Sequence, residues 1–169
     1  MASITVLGID PGSQRTGWGI VREVSGVVQL VECGIIRTQS AGKEFSARLA
    51  HIYHDLSGVV ARLAPDEAAI EQVFTAQNAA SALKLGQARG VAVAACAAYH
   101  LPVSDYEPTL VKKTLVGTGR AEKEQVAFMV KRMLNVRGDG WALDTSDALA
   151  VALCHLSMRR YKQLLATTR

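Results

Sequence analysis

The chain opens on an apolar run, Ile4, Val6, Leu7 and Ile9, which ends on a carboxylate at Asp10 and meets the turn residues Pro11-Gly12-Ser13. Thr16 to Val21 reads as a second strand, so the chain begins strand, tight turn, strand. Pro11 presets φ and removes a donor while Gly12 allows positive φ, which leaves Asp10 fixed and open at the strand end. Ser25-Gly26 marks a further turn, and Val27 to Thr38 predicts a third strand with Gly34 as a candidate bulge. These three strands form a consecutive antiparallel meander. Phe45, Leu49, Ile52, Tyr53, Leu56, Val60 and Leu63 recur at helical spacing, which predicts an amphipathic helix from Lys43 to Leu63 that Pro65 stops.

Glu67 to Val73 predicts a fourth strand. The helix before it supplies a crossover that lays this strand parallel beside the first, with Glu71 near its C-terminal end. Asn78 to Tyr99 is an alanine-rich helix with Asn78 or Ser81 as its cap. Gly86 and Gly90 share one face of it, which points to close backbone approach. Its VAVAACAA half is apolar all round, so the sheet is expected to cover one side and a second subunit the other. Pro102 to Tyr106 predicts a fifth strand, and helices follow over Pro108 to Leu115, Ala121 to Leu134 and Leu143 to Gln163. The order describes a single α/β domain over residues 1–169, a mixed sheet covered by helices.

Composition alters this picture in two places. The formal charge is +4, but it is unevenly spread: eight lysines and arginines face ten acids over residues 1–107, against seven and two over residues 108–137. A basic segment beside an acidic remainder suits a polyanion held on one side, although a solvated helical face has the same pattern. Cys33, Cys96 and Cys154 are odd in number, widely spaced and set among apolar residues, which predicts buried thiols in a reducing compartment. His51 and His54 lie three apart on a helix and read as structural histidines. No signal peptide or membrane-length apolar run stands out, so a cytoplasmic location is expected.

Acids fall at element ends in three separate places. Asp10 closes the first strand and Glu71 lies near the end of its expected neighbour. Asp144 and Asp147, three apart, share one face in the first turn of the last helix. Taken singly each has an ordinary reading, and the Asp144/Asp147 pair resembles a helix cap and its first-turn partner. Taken together, four carboxylates at the carboxyl end of a sheet repel one another unless cations neutralise them. Hard oxygen donors suit Mg²⁺ or Mn²⁺ and not zinc. With a basic segment to hold phosphates, this is the layout of a phosphodiester-cleaving nuclease.

GIDPGSQRTGWGIV, AIEQVF, SALKLGQARG, VGTGRAEK and the DTSDALAVALCH segment closely resemble the RuvC Holliday-junction resolvases, in matching order from about Ile4 to His155. The resemblance implies a ribonuclease H-like fold, with the mixed five-stranded sheet flanked by helices. It also implies a homodimer and a Mg²⁺-dependent endonuclease that resolves four-way DNA junctions by paired nicks in recombination and repair. It carries Asp10, Glu71, Asp144 and Asp147 over as the catalytic carboxylates, holding two Mg²⁺ per subunit with Mn²⁺ as a substitute. Phe74 matches an aromatic used near the junction centre, where it could stack on unstacked bases; a core Phe is the alternative. Lys112 and Lys123 match lysines important for activity, while Lys113 and Arg120 join them on charge and position. A branch-migration complex of the RuvA and RuvB type is the implied partner. The basic tail, residues 158–169, lies outside the matched motifs and receives no role. Other readings remain: a phosphate loop of the actin-like ATPase and sugar-kinase kind, a non-catalytic junction-binding module, and a general ribonuclease H.

Overall fold

A computed structural model describes residues 3–42, 44–72, 78–136 and 143–167, the last segment with side chains from 145 to 166. Strands β1 (Ser3–Asp10), β2 (Arg15–Val24) and β3 (Val27–Arg37) form the expected meander. Helix α1 (Phe45–Leu63) crosses to β4 (Glu67–Glu71), which lies parallel to β1. Helix α2 (Ala79–Ala97) leads to β5 (Val103–Tyr106), parallel to β4, and the sheet order is β3-β2-β1-β4-β5. Helices α3 (Pro108–Val116), α4 (Lys123–Met133) and α5 (Leu143–Thr167) cover the face opposite α1 and α2.

Both faces of β1 are therefore buried, which is why it reads as a nearly continuous apolar run. Leu7 and Ile9 pack with Ile52, Leu56 and Ala92 on the α1/α2 side, while Ile4 and Val6 pack with Leu149 and Leu153 of α5 on the other. Gly8 also faces α5: a Cβ there would lie 2.9 Å from the Ala152 Cβ and well inside contact distance of the Ala148 carbonyl oxygen. Glycine on the strand and alanine on the helix let α5 lie directly on the sheet.

Local chemistry explains the boundaries. Ser25 and Gly26, with φ of 51° and 84°, form a two-residue turn that pairs Val24 with Val27. Ala64 caps α1 in the left-handed region at φ 41°. The Asn78 side chain accepts from the Ser81 N–H at 2.9 Å and starts α2. Glu122 and Gln125 form a reciprocal capping box on α4.

The structure departs from these expectations at several points. The bulge is not at Gly34: Ile20 pairs with Glu32 and Val21 with Leu30, so Val31 is the extra residue. Gly34 pairs regularly with Trp18, and a Cβ there would meet the indole ring at 2.9 Å, so its lack of a side chain makes room for Trp18. Among the described residues nothing lies within 4 Å of a Cβ added at Gly86 or Gly90, so the close backbone approach expected there is not made by these parts of the chain. Helix α5 continues past Gln163 to Thr167, anchored by Arg160 to Glu23 and by Arg159 to Glu67. The helix expected from Lys43 is described from Phe45, and Lys43 and Val73 lie outside the described residues. All three cysteines are free; Cys96 and Cys154 are buried and Cys33 is half-buried.

Candidate active site

Asp10 stands where β1 ends, and the turn after it is tied down. The Thr16 hydroxyl donates to the Gly12 carbonyl at 2.9 Å and accepts from the Gly12 N–H at 3.3 Å. The Thr38 hydroxyl, at the end of β3, donates to the Ser13 carbonyl at 3.0 Å. Parallel pairing of Ile9 with Ile70 brings the next residues, Asp10 and Glu71, side by side at one sheet edge. Asp147 descends onto them from the second turn of α5, its Oδ2 at 2.9 Å from Lys123 Nζ of α4. Lys112 of α3 completes the wall. Asp10, Glu71, Asp147, Lys112 and Lys123 line one cavity of about 240 Å³, backed by Val111, Val126 and Ala150.

The electrostatics record uncompensated negative charge. Burial, then the charges of Glu71 and Asp147, push the Asp10 carboxyl up to about 8. Burial and the charge of Asp147 also raise Glu71, despite Lys123 and Lys112 nearby. The Asp10 and Glu71 side chains share a hydrogen bond, which requires one of them to be protonated. Such a set of oxygens fits a divalent cation, which would replace that proton and relieve the repulsion. Among the described residues no three ligating side chains are already gathered into a metal cage.

The other expected site residues are placed differently. Asp144 lies one turn before Asp147 on α5, but its side chain is outside the described set, and Phe74 lies outside the described residues altogether. Lys113 and Arg120 are exposed and do not line the cavity.

Sequence reasoning missed a buried polar chain behind this site. His155, on the sheet-facing side of α5, has Nδ1 at 2.9 Å from the Tyr106 hydroxyl and Nε2 at 2.7 Å from Glu67 Oε2. Arg159 Nε donates to Glu67 Oε1 at 3.1 Å. Burial pushes His155 below its ordinary value although Glu67 opposes it, so the imidazole is neutral at pH 7. The network then assigns Nε2–H as donor to Glu67 and Nδ1 as acceptor from Tyr106. Burial raises Glu67, but hydrogen bonds from His155 and Arg159 outweigh it and leave the acid below its ordinary value. The one available signal was a histidine at the end of an otherwise apolar ALAVALC stripe.

Both folded-state values are depressed, so the stability these groups contribute is full at neutral pH and is lost as pH falls. His155 contributes the loss that begins below its ordinary 6.5, and Glu67 the loss that follows below 4.5. His155→Gln should lower stability at pH 7.5 by about 1–3 kcal/mol, because buried partners lose a hydrogen bond. It should also flatten the decline in Tm between pH 7 and pH 5.5. An equally steep decline in the variant would remove His155 as its source.

The family model described as "Crossover junction endodeoxyribonuclease RuvC" matches residues 6–155. A relative of that name from Oleidesulfovibrio alaskensis is 69% identical over 163 residues, covering 96% of each chain. One from Nitratidesulfovibrio vulgaris strain Hildenborough is 64% identical, also covering 96% of each. The structure of T. thermophilus RuvC in complex with Holliday junction substrate superposes with a TM-score of 0.87 at 32% identity, covering 94% of this chain and 96% of that one. The shared architecture is the ribonuclease H-like fold. On sequence and fold together, this chain belongs to the RuvC family of crossover junction endodeoxyribonucleases.

Proposed function

We propose that this chain is a structure-selective endonuclease that resolves four-way DNA junctions by paired symmetric nicks, acting as a single nuclease domain within a homodimer. The observation that carries the reading is the meeting of Asp10, Glu71 and Asp147 with Lys112 and Lys123 in one cavity of a RuvC-family chain. Asp10, Glu71, Asp144 and Asp147 would hold two Mg²⁺ ions per subunit, or Mn²⁺ in their place. These would supply charge neutralisation at the scissile phosphate and acidify water.

The chain's own residues account for the rest. Lys112 and Lys123 carry positive charge at the rim, where it offsets the carboxylates and holds a phosphate that would otherwise be repelled. Asp10, central and the most strongly perturbed, must give up its proton before the site is competent. The Thr16 and Thr38 hydrogen bonds keep it from swinging away. Attack in line with the departing O3′ leaves 5′-phosphate and 3′-hydroxyl ends, which a ligase can rejoin.

A dimer two-fold matches the symmetry of a junction, so each subunit would cut one of two opposed strands. Helix α2 supports such a contact: Ala88, Ala92, Ala95 and Cys96 are buried, while Leu83 is 64% exposed and Gly86 and Gly90 are open. Phe74, Lys113 and Arg120 would extend the DNA contact. A branch-migration complex of the RuvA and RuvB type and a cytoplasmic location fit the same role. No helix among the described residues is long and apolar enough to cross a membrane.

The test is cleavage of a synthetic four-way junction with Mg²⁺, beside a linear duplex and an RNA–DNA hybrid. The expected result is paired, ligatable nicks in the junction alone. An intact junction, or equal cutting of all three substrates, would overturn the reading.

A further inference from the structure

We infer that Arg15 and Arg37 form a phosphate clamp on the flank of the carboxylate site opposite Lys112 and Lys123, holding the backbone of the junction strand that passes over Asp10. The inference rests on the nuclease reading above and extends its DNA contact to the β2–β3 side of the sheet.

The register places these arginines. Asp10 pairs with Gly17, and Gly17 with Ile35, so these three residues form one row on one face of the sheet. Arg15 and Arg37 pair directly with each other two residues further on, hence on that same face and about 7 Å beyond Asp10's row. The face is the one α5 covers, because Gly8 meets Ala152 and Gly19 meets Leu149 of that helix. Asp147 approaches from the same helix. Lys112 and Lys123 stand on α3 and α4, which pack on the α5 face with Tyr106 of β5. The acids therefore sit between two basic flanks, one recognised from the sequence and one visible only in the register.

A further feature distinguishes the pair from scattered surface charge: the segment carrying it is rigid. Thr16 and Thr38, both fully buried, bond the turn at Gly12 and Ser13, and the Thr38 N–H donates to the Gln14 carbonyl at 3.1 Å. A fixed pair of exposed guanidinium groups beside a site for phosphodiesters suits bidentate phosphate contact.

The experiment measures junction binding by the full-length protein against salt concentration in EDTA, so that no strand is cut. Arg15→Gln and Arg37→Gln should each reduce the salt slope by about 0.9, and the double variant by about 1.8. Arg37→Lys should restore the slope that Arg37→Gln loses. Arg62→Gln makes the same charge change at the far end of α1, where Arg62 bonds Glu32, and should leave the slope unchanged. Unchanged slopes in both arginine variants of a wild type that binds and cuts junctions would overturn the clamp alone. So would an equal loss in Arg62→Gln. A wild type that neither binds nor cuts a junction would overturn the nuclease reading and the clamp with it.

Discussion

Asp10→Asn will reduce junction cleavage by more than about 100-fold and, in EDTA at neutral pH, will make the protein more stable than the wild type. The loss of activity is bounded from below because partners that merely orient metal ligands already cost 10–100-fold when removed. The gain in stability follows from the sign of the perturbation. The Asp10 carboxyl rises from 3.8 to about 8 on folding, through burial and the charges of Glu71 and Asp147. A group raised in this way favours the folded state at low pH, and that contribution is lost as pH rises from 3.8 towards 8. Asparagine carries no charge to desolvate, and its amide can still donate to Glu71. A gain of at least about 1 kcal/mol is expected, or about 2–4 °C in Tm for a chain of this size. Added Mg²⁺ should then raise the Tm of the wild type more than that of the variant. A variant that melts below the wild type in EDTA, or that cuts normally, would contradict the central place given to Asp10.

Gly8→Ala should be among the most damaging single-methyl changes in the molecule, although it replaces a strand glycine with a better-packing residue. The new Cβ would meet the Ala152 Cβ at 2.9 Å and the Ala148 carbonyl more closely still. Those atoms belong largely to the backbone of α5, so no side-chain rotation relieves the overlap. Overpacking of this kind costs about 1–3 kcal/mol or more. The functional effect follows because Ala148 adjoins Asp147 while Gly8 lies two residues before Asp10. Lifting α5 separates the acids, and a displacement of about 1 Å at reacting groups costs about 100-fold in rate. Gly58→Ala in α1 is the contrast: an added Cβ there meets nothing within 4 Å. That change should stabilise by about 1 kcal/mol through helix propensity. Similar Tm values for the two variants would show that α5 does not rest on Gly8 as described.

Much of the site was legible before the fold was known, because its parts announce themselves locally. An apolar run ending in Asp10-Pro11-Gly12 is a strand and turn whatever surrounds it. The helix between the third and fourth strands all but dictates a parallel return beside the first, and so the approach of Glu71 to Asp10. The family resemblance already set Lys112 and Lys123 apart from Lys113 and Arg120, and the tertiary arrangement shows the physical difference: the first two line the cavity and the other two do not, which charge and position along the chain do not reveal.

The alternation of apolar and polar residues, with the turn chemistry around it, was enough to predict the elements and their mixed pairing, and to place Asp10, Glu71 and Asp147 at or near element ends. These are short-range properties, set by periodicity and by residues that favour one backbone conformation. Register and depth were decided elsewhere. The bulge falls at Val31, and Gly34 instead makes room for the Trp18 ring, a contact between neighbouring strands that no single strand encodes. His155 reads as the end of an apolar helix stripe until Glu67 and Tyr106 arrive from two different strands. Arg15 and Arg37 lie far apart along the chain and become one pair only through the antiparallel register. Each depends on long-range packing, in which the energy belongs to the pair of elements and not to either segment alone.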